Sequence, residues 1–171
     1  GSPGRIRKIA HYLKDPKIIE SDRGLVTVHG NYKYMPITAF STGMGPASVS
    51  ITMPEVIEAC DKDSMVILRL GTAGGLRHDL AIGDFVITTE VQRAESTSDK
   101  IMGEGYKAVA TPEITYTLLG IAHCTKADFQ RVYVGLTRVT DDIYWDAQAS
   151  KTRNSDGALA VSMESSVIFA L

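Results

Sequence analysis

The chain has 171 residues, which is enough for one domain with its own core. Hydrophobic residues make up 44% and charged residues 22%, and the net charge is −2, which excludes disorder and a basic nucleic-acid surface. The two cysteines lack metal-type spacing and predict free thiols in a reducing compartment. We find no signal peptide and no apolar run of membrane length, so we expect a cytoplasmic protein without a membrane partner.

The chain opens on a glycine-proline-glycine turn, GSPGR, that runs into apolar residues at helical spacing from Ile6 to Leu13. A turn that opens a helix presents free N–H groups and the positive end of the helix dipole, and Arg5 adds guanidinium donors. The segment therefore predicts either an anion site or an ordinary helix start with Pro3 near its first position.

Strands and helices then alternate along the chain. GLVTVHG and MPITAFS predict a hairpin that turns at GNYK, and ASVSITMPEVIEAC predicts a helix with Pro54 near its first turn or at a kink. The continuous apolar run SMVILRLGTAGGL predicts a strand buried on both faces, ending in a glycine-rich turn. The later elements are a strand in GDFVITTEV, a helix in TPEITYTLLGIAHCT capped by Thr111, a strand in RVYVGLTRVT and a helix in MESSVIFAL. This order predicts an α/β fold with a mixed, largely parallel sheet in one domain over residues 1–171.

Arg69 lies inside the predicted buried strand, just before the glycine turn. An unpaired guanidinium in that place costs several kcal/mol, so it requires an anion. The anion is either a carboxylate such as Asp84 or Glu90, or a ligand bound at the carboxyl end of the strand. In the second case Thr72 and the N–H groups of the turn line the same pocket.

Two further segments carry side chains or turns suited to a ligand. STGMGPAS repeats the order strand, glycine turn and helix, and its glycines either allow a ligand to approach or form a plain turn. SMESS places Glu164 where the last helix begins. This carboxylate either caps its own helix or accepts two hydroxyls of a sugar diol, with Met163 beneath the sugar.

The polar and aromatic stretch VTDDIYWDAQ follows a predicted strand. Its side chains either hold a planar heterocycle or form a surface turn, and the candidates are Asp141, Tyr144, Trp145 and Gln148. The four histidines are scattered without ligand spacing, so we expect no metal site.

Taken in order, GSPGR, STGMGPAS, RLGTAGGL and SMESSV resemble the motifs of the nucleoside phosphorylase family of the uridine phosphorylase and hexameric purine nucleoside phosphorylase type. The resemblance covers nearly the whole chain and is greatest to uridine phosphorylases. It implies a single domain of three layers, α/β/α, around a mixed central sheet. It also implies that the first strand, a C-terminal strand and a final helix of the family lie outside residues 1–171.

The resemblance implies a role for each matching residue. Arg69, Arg5 and Glu164 are the expected catalytic residues. The expected phosphate-binding residues are Gly1, Arg5, Arg23, Arg69 and Thr72, with Arg23 reaching into a neighbouring subunit. The expected ribose-binding residues are Met44, Thr72, Met163 and Glu164. The expected base-binding residues are Gly74, Ile143, Tyr144 and Gln148.

The implied reaction is reversible phosphorolysis of a ribonucleoside, with uridine as the first substrate and inorganic phosphate as co-substrate, without an organic cofactor or metal. The implied assembly is a dimer-based hexamer that acts in nucleoside salvage. Ser2 and Ser162 replace two acidic residues of the family motifs, and near Gln148 no arginine stands at the place where uridine phosphorylases have one. Three alternatives stay open: a purine nucleoside or methylthioadenosine phosphorylase, a related hydrolytic nucleosidase, and a non-catalytic nucleoside-binding protein on the same fold.

Overall fold

The computed structural model describes residues 1–61, 64–125, 131–144 and 157–171. The described residues form two compact units, Gly1–Met44 and Gly45–Leu171. Helices and strands occur in both units, and the larger sheet contains parallel and antiparallel pairs. The predicted α/β class with a mixed sheet is confirmed.

The first unit packs one helix against a three-stranded antiparallel sheet in the order β1-β2-β3. Its core consists of Ala10, Val26 and Val28, with Ile6 and Leu13 packed against them. The apolar spacing of the opening segment thus produces the predicted helix. The elements of this unit are α1 Pro3–Ala10, β1 Lys14–Glu20, β2 Val26–Tyr32 and β3 Met35–Phe40.

The predicted hairpin is confirmed, and its strands extend further than expected. Tyr32 pairs with Met35, so the turn consists of Lys33 and Tyr34 rather than GNYK. The preceding strand β1 was not predicted from the sequence. All of its residues are exposed, so it has no alternation of buried and exposed side chains that could have revealed it.

The second unit contains a five-stranded mixed sheet in the order β4-β8-β7-β5-β6. The three central strands run parallel to one another, and the two edge strands pair antiparallel. The strands are β4 Gly74–Gly75, β5 Phe85–Ala94, β6 Ala108–Val109, β7 Val132–Thr140 and β8 Ala160–Ser162. The helices are α2 Pro46–Ala59, α3 Thr97–Met102, α4 Pro112–Cys124 and α5 Ser165–Ile168.

Most elements predicted for this unit are confirmed, including β5, β7 and α4. Helix α2 also forms as predicted and buries Val49 and Met53, and Pro54 lies inside it, which excludes the first of the two alternatives, a position near the first turn. The last helix is shorter than the predicted one in MESSVIFAL: α5 has only four residues.

The prediction of a strand buried on both faces in SMVILRLGTAGGL is wrong. Val66, Leu68 and Leu70 are 66%, 54% and 67% exposed, and only Gly74–Gly75 joins the sheet. Within the described ranges no strand pairs with residues 65–70. Because a strand forms only when another backbone satisfies its N–H and C=O groups, the apolar run remains irregular here.

The three parallel strands end side by side. Ala94 of β5 pairs with Thr140 of β7, and Val139 of β7 pairs with Ser162 of β8. In open α/β sheets, ligands bind outside the carboxyl ends of the strands. Glu164 follows the carboxyl end of β8. The predicted sugar-binding acid therefore lies where a ligand site is expected in such a sheet.

Candidate active site

Glu164 is a buried carboxylate between β8 and α5, only 6% exposed. Its Oε1 accepts a hydrogen bond of 3.2 Å from the backbone N–H of Gly45, which precedes α2. Its Oε2 accepts from the guanidinium of Arg69. Both carboxylate oxygens are therefore held by donors from distant parts of the chain.

Arg69 forms an ion pair with Glu164, and its side chain retains 20% exposure against 9% for its partner. Of the two alternatives for Arg69, the structure shows the internal carboxylate, but the partner is Glu164 rather than Asp84 or Glu90, and Asp84 pairs with Arg131 at 3.1 Å. A charge that loses most of its water needs such a partner. The ion pair thus joins the arginine predicted to bind phosphate with the acid predicted to bind ribose.

Two glycines contact this ion pair, Gly45 and Gly71, both of which lie in turns predicted to face a ligand. Gly45 has φ +90 and ψ 159 at the N-cap of α2, a conformation that glycine alone adopts at low cost. A Cβ on Gly71 would lie 2.6 Å from Nη2 of Arg69, so the guanidinium folds back over a position without a side chain. In the sequence, the glycine-rich motifs GMGP and GTAGG, which contain Gly45 and Gly71, indicated a close approach of another group to the backbone.

The alternative that Glu164 caps its own helix is wrong. Glu164 occupies the N-cap position of α5, but its side chain makes no capping hydrogen bond there. The adjoining segment is held instead by the hydroxyls of Ser162 and Ser165, which lie 3.4 Å apart. The carboxylate is turned instead toward Gly45 and Arg69.

Tyr106 fixes the other end of the short helix that follows Glu164. Its hydroxyl donates a 2.9 Å hydrogen bond to the carbonyl of Phe169, the residue that ends α5. The Arg93 guanidinium lies 5.7 Å from the centre of the Tyr106 ring and pairs with Asp99 at 2.8 Å. These contacts tie α5 to β5 and to α3.

Replacing Tyr106 with phenylalanine is expected to lower the free energy of unfolding by about 1 kcal/mol, because the carbonyl of Phe169 loses its donor. Urea unfolding of the wild type and the variant measures the difference. As a control, Tyr116→Phe changes a tyrosine of α4 that is 73% exposed and is expected to leave the stability unchanged. Equal stability of all three proteins would show that this hydrogen bond does not hold α5.

A second buried acid, Glu95, is equally inaccessible at 6% exposure but serves the fold. Its carboxylate accepts from the N–H groups of Thr97 at 2.7 Å and Ser98 at 3.0 Å, and from the hydroxyl of Ser98. These donors belong to the first turn of α3, whose N–H groups lack intrahelical partners. Glu95 is thus a capping residue and a useful control for Glu164.

The first unit holds three of the residues predicted to bind phosphate. Nη2 of Arg5 lies 3.4 Å from the position that a Cβ on Gly1 would occupy, so this arginine and the opening turn are neighbours. Arg23 is exposed on the turn between β1 and β2, which closes through a 2.8 Å hydrogen bond from the Gly24 N–H to Ser21. Met44, predicted to contact ribose, is 80% exposed at the end of this unit.

The remaining predicted site residues occupy varied surroundings in the second unit. Thr72 is exposed, Met163 is half-buried beside Glu164, and Gly74 pairs with Val161 of β8. Ile143 is half-buried and Tyr144 is 83% exposed. Gln148 and the neighbouring Trp145 lie outside the described residues. The binding roles of all these residues stay predictions.

Outside the candidate site, an exposed ion pair perturbs two titrating groups. The hydrogen bond between Arg77 and Asp79 raises the pKa of the guanidinium and lowers the pKa of the carboxyl group. Within the described residues, no group of three or more His, Cys, Asp or Glu side chains could hold a metal ion. No helix in the described ranges has the length and apolar character needed to cross a membrane.

The molecule is a mixed α/β protein with a paired arginine and glutamate, and the glutamate follows the last of its parallel strands. The chain belongs to the phosphorylase superfamily, whose family profile it matches over residues 1–171. It is 30% identical to a guanosine phosphorylase of Halorubrum lacusprofundi over 173 residues, which are 100% of this chain and 69% of that protein. It is 32% identical to a uridine phosphorylase of Haemophilus influenzae over 186 residues, covering 100% and 71% of the two chains.

A solved structure agrees with this assignment at the level of the fold. The chain superposes on the crystal structure of uridine phosphorylase from Vibrio fischeri ES114 with a TM-score of 0.89 and 24% identity. The match covers 99% of this chain and 70% of the other. The predicted family resemblance is confirmed, and the relatives are nucleoside phosphorylases that act on different bases.

Proposed function

We propose that this chain carries out the reversible phosphorolysis of a ribonucleoside, giving free base and ribose 1-phosphate. The observation that carries the proposal is the ion pair between Arg69 and Glu164. In this proposal Arg69 supplies a cation for phosphate and Glu164 supplies an acceptor for ribose hydroxyls, and their direct contact supports a single site for both functions. The names of the two relatives, guanosine phosphorylase and uridine phosphorylase, support this class of reaction.

The hydrogen-bonding capacity of the pair supports simultaneous binding of both substrates. An ionised carboxylate has about four acceptor positions, of which Gly45 and Arg69 use two. The other two suit the 2′- and 3′-hydroxyls of a ribose. A guanidinium has about five N–H donors, so Arg69 retains donors for a phosphate oxygen while it contacts Glu164.

In the proposed reaction a phosphate oxygen attacks C1′ of the ribose from the face opposite the base. The C1′–N bond breaks, its electron pair passes to the base, and the base takes up a proton. Arg69, Arg5 and Arg23 of the partner subunit hold and orient the phosphate beneath C1′, a positioning and electrostatic effect. Glu164 holds the ribose, and Gln148 is proposed to donate a hydrogen bond to the leaving base.

Uridine is the proposed substrate, on the strength of the RLGTAGG and SMESSV motifs. A purine nucleoside is the second candidate, because the guanosine phosphorylase relative matches the whole of this chain at 30% identity. We further propose that the protein acts in cytoplasmic nucleoside salvage as a dimer-based hexamer. The exposed position of Arg23 on the β1–β2 turn supports its contribution to a neighbouring subunit.

The substrate panel that tests this proposal consists of uridine, guanosine, inosine and methylthioadenosine, each with and without inorganic phosphate. We expect base release from uridine only when phosphate is present. Release from guanosine or inosine instead would assign the protein to the purine enzymes. Release without phosphate would identify a hydrolase, and binding without release would identify a non-catalytic nucleoside-binding protein; either result would overturn the proposal.

A further inference from the structure

We propose that Gly45 and Gly71 are positioning residues that align the two members of the ion pair, Gly45 acting on Glu164 and Gly71 acting on Arg69. The inference rests on the proposed function and assigns each glycine to one substrate. Gly45 controls the affinity for the nucleoside, because it holds the acid that binds ribose. Gly71 controls the affinity for phosphate, because it gives room to the guanidinium.

Gly45 acts through its backbone. Its N–H donates to Oε1 of Glu164 at 3.2 Å from a backbone at φ +90 and ψ 159, where a residue with a Cβ is strained. A Cβ there would meet nothing within 4 Å, so packing does not require a glycine. Glycine is therefore required at position 45 for its backbone conformation, which directs the N–H group toward Glu164.

Gly71 acts through the space that it leaves empty. A Cβ at this position would lie 2.6 Å from Nη2, 2.8 Å from Cζ and 2.9 Å from Nη1 of Arg69. Such distances do not occur between unbonded atoms, so a methyl group must displace the guanidinium. Because an arginine side chain is flexible, the displacement moves the charge without breaking the fold.

The chain contains a close control for each glycine. Gly103, at the end of α3, has φ +85 and ψ 163, and a Cβ there would also meet nothing within 4 Å. Alanine at Gly45 and at Gly103 therefore carries the same backbone strain, but only Gly45 donates to Glu164. Gly120 in α4 offers a methyl group open space and controls for the glycine-to-alanine change at Gly71.

The test measures KM for uridine and for phosphate separately in four variants: Gly45→Ala, Gly71→Ala, Gly103→Ala and Gly120→Ala. Gly45→Ala is expected to raise KM for uridine about tenfold and to leave KM for phosphate near the wild-type value. Gly71→Ala is expected to raise KM for phosphate about tenfold and to leave KM for uridine near the wild-type value. Gly103→Ala and Gly120→Ala are expected to change neither, whatever they do to thermal stability.

The inference is wrong if Gly45→Ala matches Gly103→Ala in both constants, or if Gly71→Ala raises both KM values alike. If Gly45→Ala does not fold, the two KM values of Gly71→Ala test the inference alone. This variant is expected to fold, because its methyl group displaces only a flexible side chain. If the wild type turns over no nucleoside, the proposed function fails. Calorimetric titration of the same variants with uridine and with phosphate then tests the positioning roles independently.

Discussion

Arg69→Ala is expected to lower kcat/KM for phosphate by about 10³-fold, the upper range for loss of one transition-state donor. The guanidinium is proposed to orient the phosphate and to balance charge as the C1′–N bond breaks. Its removal also leaves Glu164 buried without its cation, so we expect lower thermal stability than in the wild type. Initial rates at varied phosphate, with thermal unfolding of the same samples, measure both effects.

Two variants separate the loss of phosphate binding from the loss of stability. Arg77→Ala removes an exposed arginine, 49% accessible, that pairs with Asp79, and is expected to keep wild-type kinetics. Arg69→Ala combined with Glu164→Gln removes the unpaired charge and is expected to recover stability without recovering activity. Phosphate-dependent rates within a few fold of wild type in Arg69→Ala would refute the phosphate assignment.

Glu164→Gln is expected to lower kcat/KM for the ribonucleoside by roughly 10- to 100-fold, because a neutral amide accepts the ribose hydroxyls less strongly than a carboxylate. The substitution keeps the size of the side chain, so the effect is on charge. We also expect a weaker preference for uridine over 2′-deoxyuridine, since the lost acceptor serves the 2′-hydroxyl. Steady-state kinetics with both nucleosides at saturating phosphate measures this ratio.

Glu95→Gln is the matched control, because Glu95 and Glu164 are both 6% exposed. Glu95 caps α3, so its substitution is expected to cost about 1 kcal/mol of stability and to leave the ribose preference unchanged. If Glu164→Gln lowered stability and kept both the rate and the preference, Glu164 would be a structural residue like Glu95.

The elements that the sequence predicted are those whose signal is local. Two β-rich runs around a turn-prone segment predicted the β2–β3 hairpin, and Thr111 as N-cap with Pro112 at the first position predicted α4. The exposed edge strand β1 escaped prediction because it contains Pro16 and charged residues and buries none of its side chains. For residues 65–70 the sequence predicted a strand that does not form. An apolar run becomes a buried strand only when neighbouring strands pair with it, and the run itself does not specify those partners.

The sequence indicated residues of the candidate site one by one, but not the contacts between them. Motifs indicated Arg69 and Glu164 separately, yet their ion pair joins residues 95 positions apart, and no local pattern specifies such a contact. The hydrogen bond from the Gly45 N–H to Glu164 could not be predicted either, because nearly every residue has an N–H and only the fold determines where it points. The glycine-rich turns indicated a close approach without showing which group approaches.

The most direct test of the account is ³¹P NMR of the wild-type protein with uridine and inorganic phosphate. We expect a sugar 1-phosphate resonance to grow as the phosphate resonance falls, in step with the release of uracil. Released base with an unchanged phosphate resonance, or no reaction with any nucleoside of the panel, would contradict it.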